Sequence, residues 1–221
     1  MTPRHAIAGL TLALGLATSG SAQAGSVSLP APAVESGVSV TDALRRRHSV
    51  RAFRQRPISL AHAGQLLWAA QGTNRPEGRT APSAGGLYPL TVYLVAGAVT
   101  DLSPGVYRYL PAHHRLEHVT EGDRRAQLAQ AALNQPWVRQ AAAVLVITGI
   151  YDRTTGKYGD RGRRYVHIET GHAGQNVYLQ AEALDLGTVM VGAFDDDKVA
   201  RVLGLGKKAV PLALMPVGRP R

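Results

Sequence analysis

Four short groups of residues carry the plainest chemistry in this chain. The first, Arg47-His48-Ser49-Val50-Arg51, sets two guanidinium groups and a hydroxyl close together. Arginine offers a planar fork of donors that matches a phosphate, and serine adds another donor. In an extended segment alternate side chains share a side, so Arg47, Ser49 and Arg51 would face one anion together. The alternative is a solvated basic turn. The second group, Ala81-Pro82-Ser83-Ala84-Gly85-Gly86-Leu87-Tyr88-Pro89, is small and glycine-containing, which lets backbone approach a flat ligand. An ordinary turn before a strand is the other reading.

The third group runs from Gly187 through Val191, Gly192 and Phe194 into Asp195-Asp196-Asp197. A glycine at a strand exit can present its N–H to a ligand edge. The three aspartates read as helix capping rather than as a metal site. The fourth is Pro216-Val217-Gly218-Arg219-Pro220, in which Arg219 either ends a tail or returns to the anion held at Arg47. His167, Glu169 and His172 invite a metal reading, but these spacings fall on different faces of a helix and match no zinc pattern. A helix packed closely through Gly171 and Gly174 at a dimer interface is preferred, so no metal site is expected. His113, His114 and His118 fall in a hairpin and form no motif.

These groups need elements to hold them. Thr41 or Asp42 caps a short helix to Arg47, and Ser59 opens a second that stops at Gly72. Residues 73–86 form a loop. Leu90–Ala96 and Ala142–Ile150 are apolar runs of strand length, and Val106–Leu110 with Arg115–Val119 makes a hairpin around Pro111. Residues 123–140 are helical with a break near Pro136. Residues 160–186 lack proline and make a long central helix. Thr188–Val191, a helix over Asp195–Leu203 and a strand over Val210–Val217 complete an α+β layer structure.

The chain has 221 residues, 45% of them hydrophobic and 18% charged, which describes one globular domain with a real core. Arg4, the apolar run Ala6–Thr18 and Ala22-Gln23-Ala24 compose a secretory signal over residues 1–24, cut after Ala24. That run is too short for a membrane anchor. Export to the periplasm or beyond is therefore expected, followed by a flexible lead-in over 25–40 and one domain over 41–221. With no cysteine, disulfides, thiolate metal sites and cysteine catalysis are excluded. The net charge of +10 attracts anions. Aromatic content of 5% and no basic run longer than Arg45-Arg46-Arg47 argue against nucleic acid.

In order and spacing the four groups together resemble the flavin nitroreductases over about Arg45 to Pro220. The Pro82–Pro89 loop, with Lys157-Tyr158-Gly159-Asp160-Arg161 and Gly171 through Asn176, resembles the SagB/ThcOx-type dehydrogenase branch. The resemblance implies a nitroreductase-like fold: a central, mostly antiparallel sheet flanked by helices, with a long central helix. It also implies a homodimer with FMN at the subunit interface. Arg47, His48, Ser49, Arg51 and Arg219 would hold the phosphate end. Pro82, Ser83, Ala84 and Gly85 would approach the isoalloxazine from the partner subunit. Val191 and Gly192 would lie along its reactive edge, the Gly192 N–H directed at N5, where a donor stabilises developing negative charge. Lys157 and Tyr158 resemble the proton-transfer pair of azoline oxidases. The implied activity moves a hydride between a small organic or peptide-derived substrate and FMN. The alternatives are an NAD(P)H-dependent nitro or quinone reductase and a flavin-binding protein without turnover.

Overall fold

The computed structural model describes residues 25–35 and 37–221; the expected signal segment, 1–24, lies outside them. Seven strands form one sheet: β1 (Ser26–Ser28), β2 (Leu90–Ala96), β3 (Gly105–Leu110), β4 (Arg115–Glu121), β5 (Ala143–Gly149), β6 (Gly187–Thr188) and β7 (Val210–Gly218). Their order is β1-β4-β3-β2-β5-β7-β6, and every pairing is antiparallel. Seven helices accompany them: α1 (Val40–Arg46), α2 (Leu60–Gln71), α3 (Arg125–Ala131), α4 (Pro136–Gln140), α5 (Asp152–Tyr158), α6 (Arg161–Ala183) and α7 (Asp196–Leu203). No helix among the described residues is long and apolar enough to cross a membrane.

The central strands are apolar throughout because both faces of the sheet are covered. Leu94, Leu145, Ile147 and Met215 pack on one side with Leu66 and Leu67 of α2 and Val166, Ala173 and Val177 of α6. Their chain neighbours Val95, Val144, Val146 and Leu214 face the other side, toward Leu128, Val138, Val199 and Leu203 of α3, α4 and α7. The period-two alternation of β-strands thus divides one continuous apolar run between two layers.

Local chemistry sets several boundaries. Ser59 accepts the His62 N–H while the His62 ring accepts the Ser59 N–H, a reciprocal cap that starts α2. Ser39 caps α1, rather than Thr41 or Asp42, because its Oγ accepts the Asp42 N–H. The stretch read as a flexible lead-in contributes an edge strand, with Val27 opposite Leu116 and Leu29 buried. Residues 73–79, expected as loop, include a short antiparallel pair, Thr73–Arg75 with Gly78–Arg79.

An extended segment, 49–54, is joined to two distant parts of the chain. The Val50 N–H donates to the Thr188 carbonyl, Arg54 N–H to Arg219, and Arg221 N–H to Ala52. Phe53 is fully buried at this seam, and a Cβ on Gly218 would stand 3.0 Å from its ring. At Gly187 a Cβ would lie 2.7 Å from Val50.

The 23-residue α6 spans ~35 Å along its axis. Its buried stripe includes Glu169, only 3% exposed. One Glu169 oxygen accepts from Ser83 Oγ at 3.0 Å and from the Ala84 N–H at 2.9 Å, while Ser83 Oγ also receives the Tyr88 N–H. This carboxylate latches loop 82–88 to α6. Burial pushes the Glu169 carboxyl above the ordinary range, partly offset by the Ala84 and Ser83 bonds and by the nearby His172.

Two outcomes follow from this packing. Phe53→Ala should cost about 3–5 kcal/mol in urea unfolding; a loss under about 1 kcal/mol would show that the seam carries little stability. The native state holds the Glu169 proton more tightly than the unfolded chain does. Its contribution to stability is therefore fully present below the unfolded carboxyl range, about pH 4, and is lost as pH rises through the raised native value. Glu169→Gln keeps an acceptor oxygen and has no proton to lose. Its stability relative to the parent should climb as pH rises above the unfolded carboxyl range; a constant difference would show that the native state holds the Glu169 proton no more tightly than the unfolded chain does.

Candidate active site

Arg47 and Ser49 converge on Tyr178 of α6. The Arg47 guanidinium lies 5.3 Å from the Tyr178 ring centroid, and Ser49 Oγ is 3.1 Å from the Tyr178 hydroxyl. That hydroxyl also accepts the Met190 N–H at 2.8 Å, which ties the Arg47–Ser49 segment to the chain leading into Val191 and Gly192. Arg51 turns instead toward Trp137 of α4, 5.8 Å from its ring. His48 faces away, its Nδ1 3.1 Å from the Arg46 carbonyl and 3.7 Å from Glu182. Arg219 returns beside residues 52–54 through its backbone, and its charge adds to burial in lowering the pKa of His62. Of the five expected phosphate ligands, Arg47 and Ser49 meet at one residue, Tyr178, while His48, Arg51 and Arg219 lie in other surroundings. None of Arg47, Arg51 and Arg219 has a carboxylate partner among the described residues. Uncompensated guanidiniums beside a hydroxyl are the donor set that a phosphate dianion requires.

From Tyr178, α6 runs back toward its N-terminus past Gly174 and Thr170. Met190 fills the place a side chain at Gly174 would take, its Cε 2.2 Å from a Cβ there. Gly174 therefore serves packing within the chain, whereas a Cβ on Gly171 would meet nothing within 4 Å. Val191 is anchored to β7 by paired hydrogen bonds with Leu214, and Gly192 is exposed with open space about it. A cavity of about 430 Å³ opens there, lined by Gly192, Phe194, Tyr151, His167 and Thr170 among others. Tyr178 and His167 stand ~16 Å apart along the helix axis. The Tyr151 hydroxyl lies 2.6 Å from His167 Nε2, a pairing that sequence spacing did not signal.

The second half of the site surrounds loop 82–85. Gly85 adopts φ +64°, in the left-handed region that favours glycine. A Cβ at Gly85 would lie 2.7 Å from the Tyr158 hydroxyl and 3.1 Å from Lys157 Nζ. The Lys157-Tyr158 pair ends α5. Lys157 Nζ stands 5.5 Å from the Tyr158 ring, and Tyr158 meets Tyr165 edge-on at 5.1 Å. Pro82 is exposed, while Ser83 and Ala84 are half-buried and bound to Glu169. His167, Glu169 and His172 point to different surroundings: Tyr151, the loop and solvent.

The expected residues therefore fall into two groups on one chain. Arg47, Ser49, Val191 and Gly192 form one; Ser83, Ala84, Gly85, Lys157 and Tyr158 form the other. Adjacent α6 residues face them separately, Thr170 lining the Gly192 cavity and Glu169 holding the loop.

The Nitroreductase family model matches residues 44–219. A protein of Methanocaldococcus jannaschii that carries a nitroreductase name is 44% identical over 82% of this chain and 91% of its own length. A crystal structure from Ralstonia eutropha, also under a nitroreductase name, superposes with a TM-score of 0.77 at 30% identity, covering 89% of this chain and 90% of that one. The Escherichia coli microcin synthetase McbBCD complex, with truncated pro-MccB17 bound, contains a chain matching at TM-score 0.70 and 26% identity, over 87% of this chain and 76% of that one. The antiparallel sheet, the long central helix and these matches agree: the chain belongs to the nitroreductase family of oxidoreductases.

Proposed function

We propose that this protein is an FMN-dependent oxidoreductase of the SagB type, which moves a hydride between a small organic or peptide-derived substrate and flavin N5. The observation behind this reading is the contact at Gly85, where loop backbone, Tyr158 hydroxyl and Lys157 ammonium meet. A glycine with left-handed φ is needed there because any side chain would displace the pair. The likeness to a chain of the microcin synthetase complex supports a peptide-derived substrate.

Arg47 and Ser49 bind the phosphate of FMN, with Arg51 and Arg219 adding positive charge. Gly192 offers its backbone N–H at the other end of the site. Bound FMN supplies the two-electron acceptor. Tyr158 and Lys157 move the proton that a substrate loses or gains when hydride is transferred, and Lys157, being exposed, exchanges it with water. Glu169 fixes the loop against which the pair rests.

The two groups of residues complete one another across a homodimer, with Pro82 to Gly85 of each subunit serving the flavin site of the other. Residues 1–24 direct export, and the holoprotein then works in the periplasm or beyond, where the substrate is the electron donor rather than NAD(P)H.

Two measurements check this assignment. Arg47→Gln should raise the FMN dissociation constant about tenfold or more, since a charged hydrogen bond to phosphate is lost. With a thiazoline-containing model peptide and dioxygen as acceptor, Lys157→Ala and Tyr158→Phe should each lower kcat about 10²–10⁴-fold while FMN stays bound. Full turnover in both variants would remove the proton-transfer roles. NAD(P)H-driven reduction of a quinone with no peptide oxidation would favour the reductase alternative, and bound flavin without either activity the binding protein.

A further inference from the structure

Three arginines converge beside the loop that carries Gly85, in a cavity that neither half of the active site uses. This cavity of about 250 Å³ is lined by Arg79, Arg108 and Arg153, with Gln71, Tyr109 and Thr91. Arg108 is neutralised by Glu117 at 2.6 Å. Arg79 and Arg153 have no carboxylate partner among the described residues. Neutral groups hold them in place instead. Arg79 Nη1 donates to Oε1 of the buried Gln71 at 3.2 Å, and its guanidinium stacks 4.8 Å from the Tyr88 ring centroid. Arg153 Nη1 donates to the Tyr88 carbonyl at 3.1 Å.

Such an arrangement is costly without an anion. Burial lowers the pKa of Arg79; the Tyr88 hydroxyl, and more weakly that of Tyr109, offset part of this, and the like charge of Arg153 lowers it further. A half-buried guanidinium facing another, both fixed by uncharged acceptors, is repaid when a bidentate oxyanion enters between them. Leu90, Val92 and Leu110 supply an apolar wall, so the cavity suits an anion attached to a short hydrocarbon or ring.

We propose that Arg79 and Arg153, with Arg108 at the rim, form a second anion site that takes the carboxylate or phosphate group of a small molecule. Arg153 and Lys157 stand four residues apart on α5, so they share a face. An anion held at Arg153 therefore lies about one helical turn from the pair at Gly85. This placement makes the site an anchor for an anionic substrate, a role that rests on the assignment of Lys157; the anion site itself does not.

The test is isothermal titration of inorganic phosphate, and separately of acetate, into the full chain saturated with FMN at low ionic strength. Saturation with FMN fills the Arg47 edge; a parallel titration without FMN reads the same site should flavin fail to bind. Saturable binding of one anion per chain is expected, weakened about tenfold by Arg79→Gln and by Arg153→Gln and less by Arg108→Gln. Phosphate without acetate identifies a phosphate-bearing ligand, and acetate without phosphate a carboxylate. Arg153 is exposed, so its variant keeps the fold and guards against a misfolded Arg79 variant. No saturable binding of either anion, or equal affinity in the Arg79→Gln and Arg153→Gln proteins, overturns the proposal.

Discussion

The seam between residues 49–54 and the two chain segments beyond α6 is the constraint on which the site depends. Without the bonds from Val50 to Thr188 and from Arg54 to Arg219, the basic segment would be a mobile surface turn. With them it becomes a strand-like edge, closed by the buried Phe53 ring against Gly218. The seam therefore converts a local sequence of arginines and serine into a fixed set of donors. It also explains the small residues opposite: Gly187 and Gly218 leave room for Val50 and Phe53. Packing and chemistry share the same few atoms there, because the Tyr178 hydroxyl pairs with the Ser49 hydroxyl and accepts the Met190 N–H.

The long helix α6 then distributes the chemistry. Its buried stripe faces the core, Tyr178 meets the phosphate-type donors, and His167 and Thr170 border the Gly192 cavity. Glu169, one residue from Thr170, points to the loop that carries Gly85. A helix is rigid over this length, so groups fixed to it keep their separation while ligands exchange. A buried carboxylate is a costly way to hold a loop, and two donors to one oxygen are what make it tolerable.

Much of this was legible in the sequence where the signals are local. Ser59 and Gly72 bracket α2, and the strands at 90–96 and 143–149 show as apolar runs because both faces are buried. The Arg47 and Pro82 groups could be named, but not which way their side chains turn. Arg51 goes to Trp137, a choice made by a packing partner far along the chain. β1 escaped notice because its pairing is with residues 115–117, and three residues carry little periodicity. The α5 helix was hidden by Thr154, Thr155 and Gly156, all weak helix formers. The role of Glu169 could not be read, since its partners Ser83 and Ala84 lie 86 and 85 positions away.

The central claim is that the seam, α6 and Gly192 together make a flavin site. The most direct measurement is the visible absorption spectrum of the purified protein after incubation with FMN and gel filtration. Retained bands of oxidised flavin, at about one flavin per chain and lost in Arg47→Gln, are the predicted result. A folded protein that emerges colourless would contradict the account.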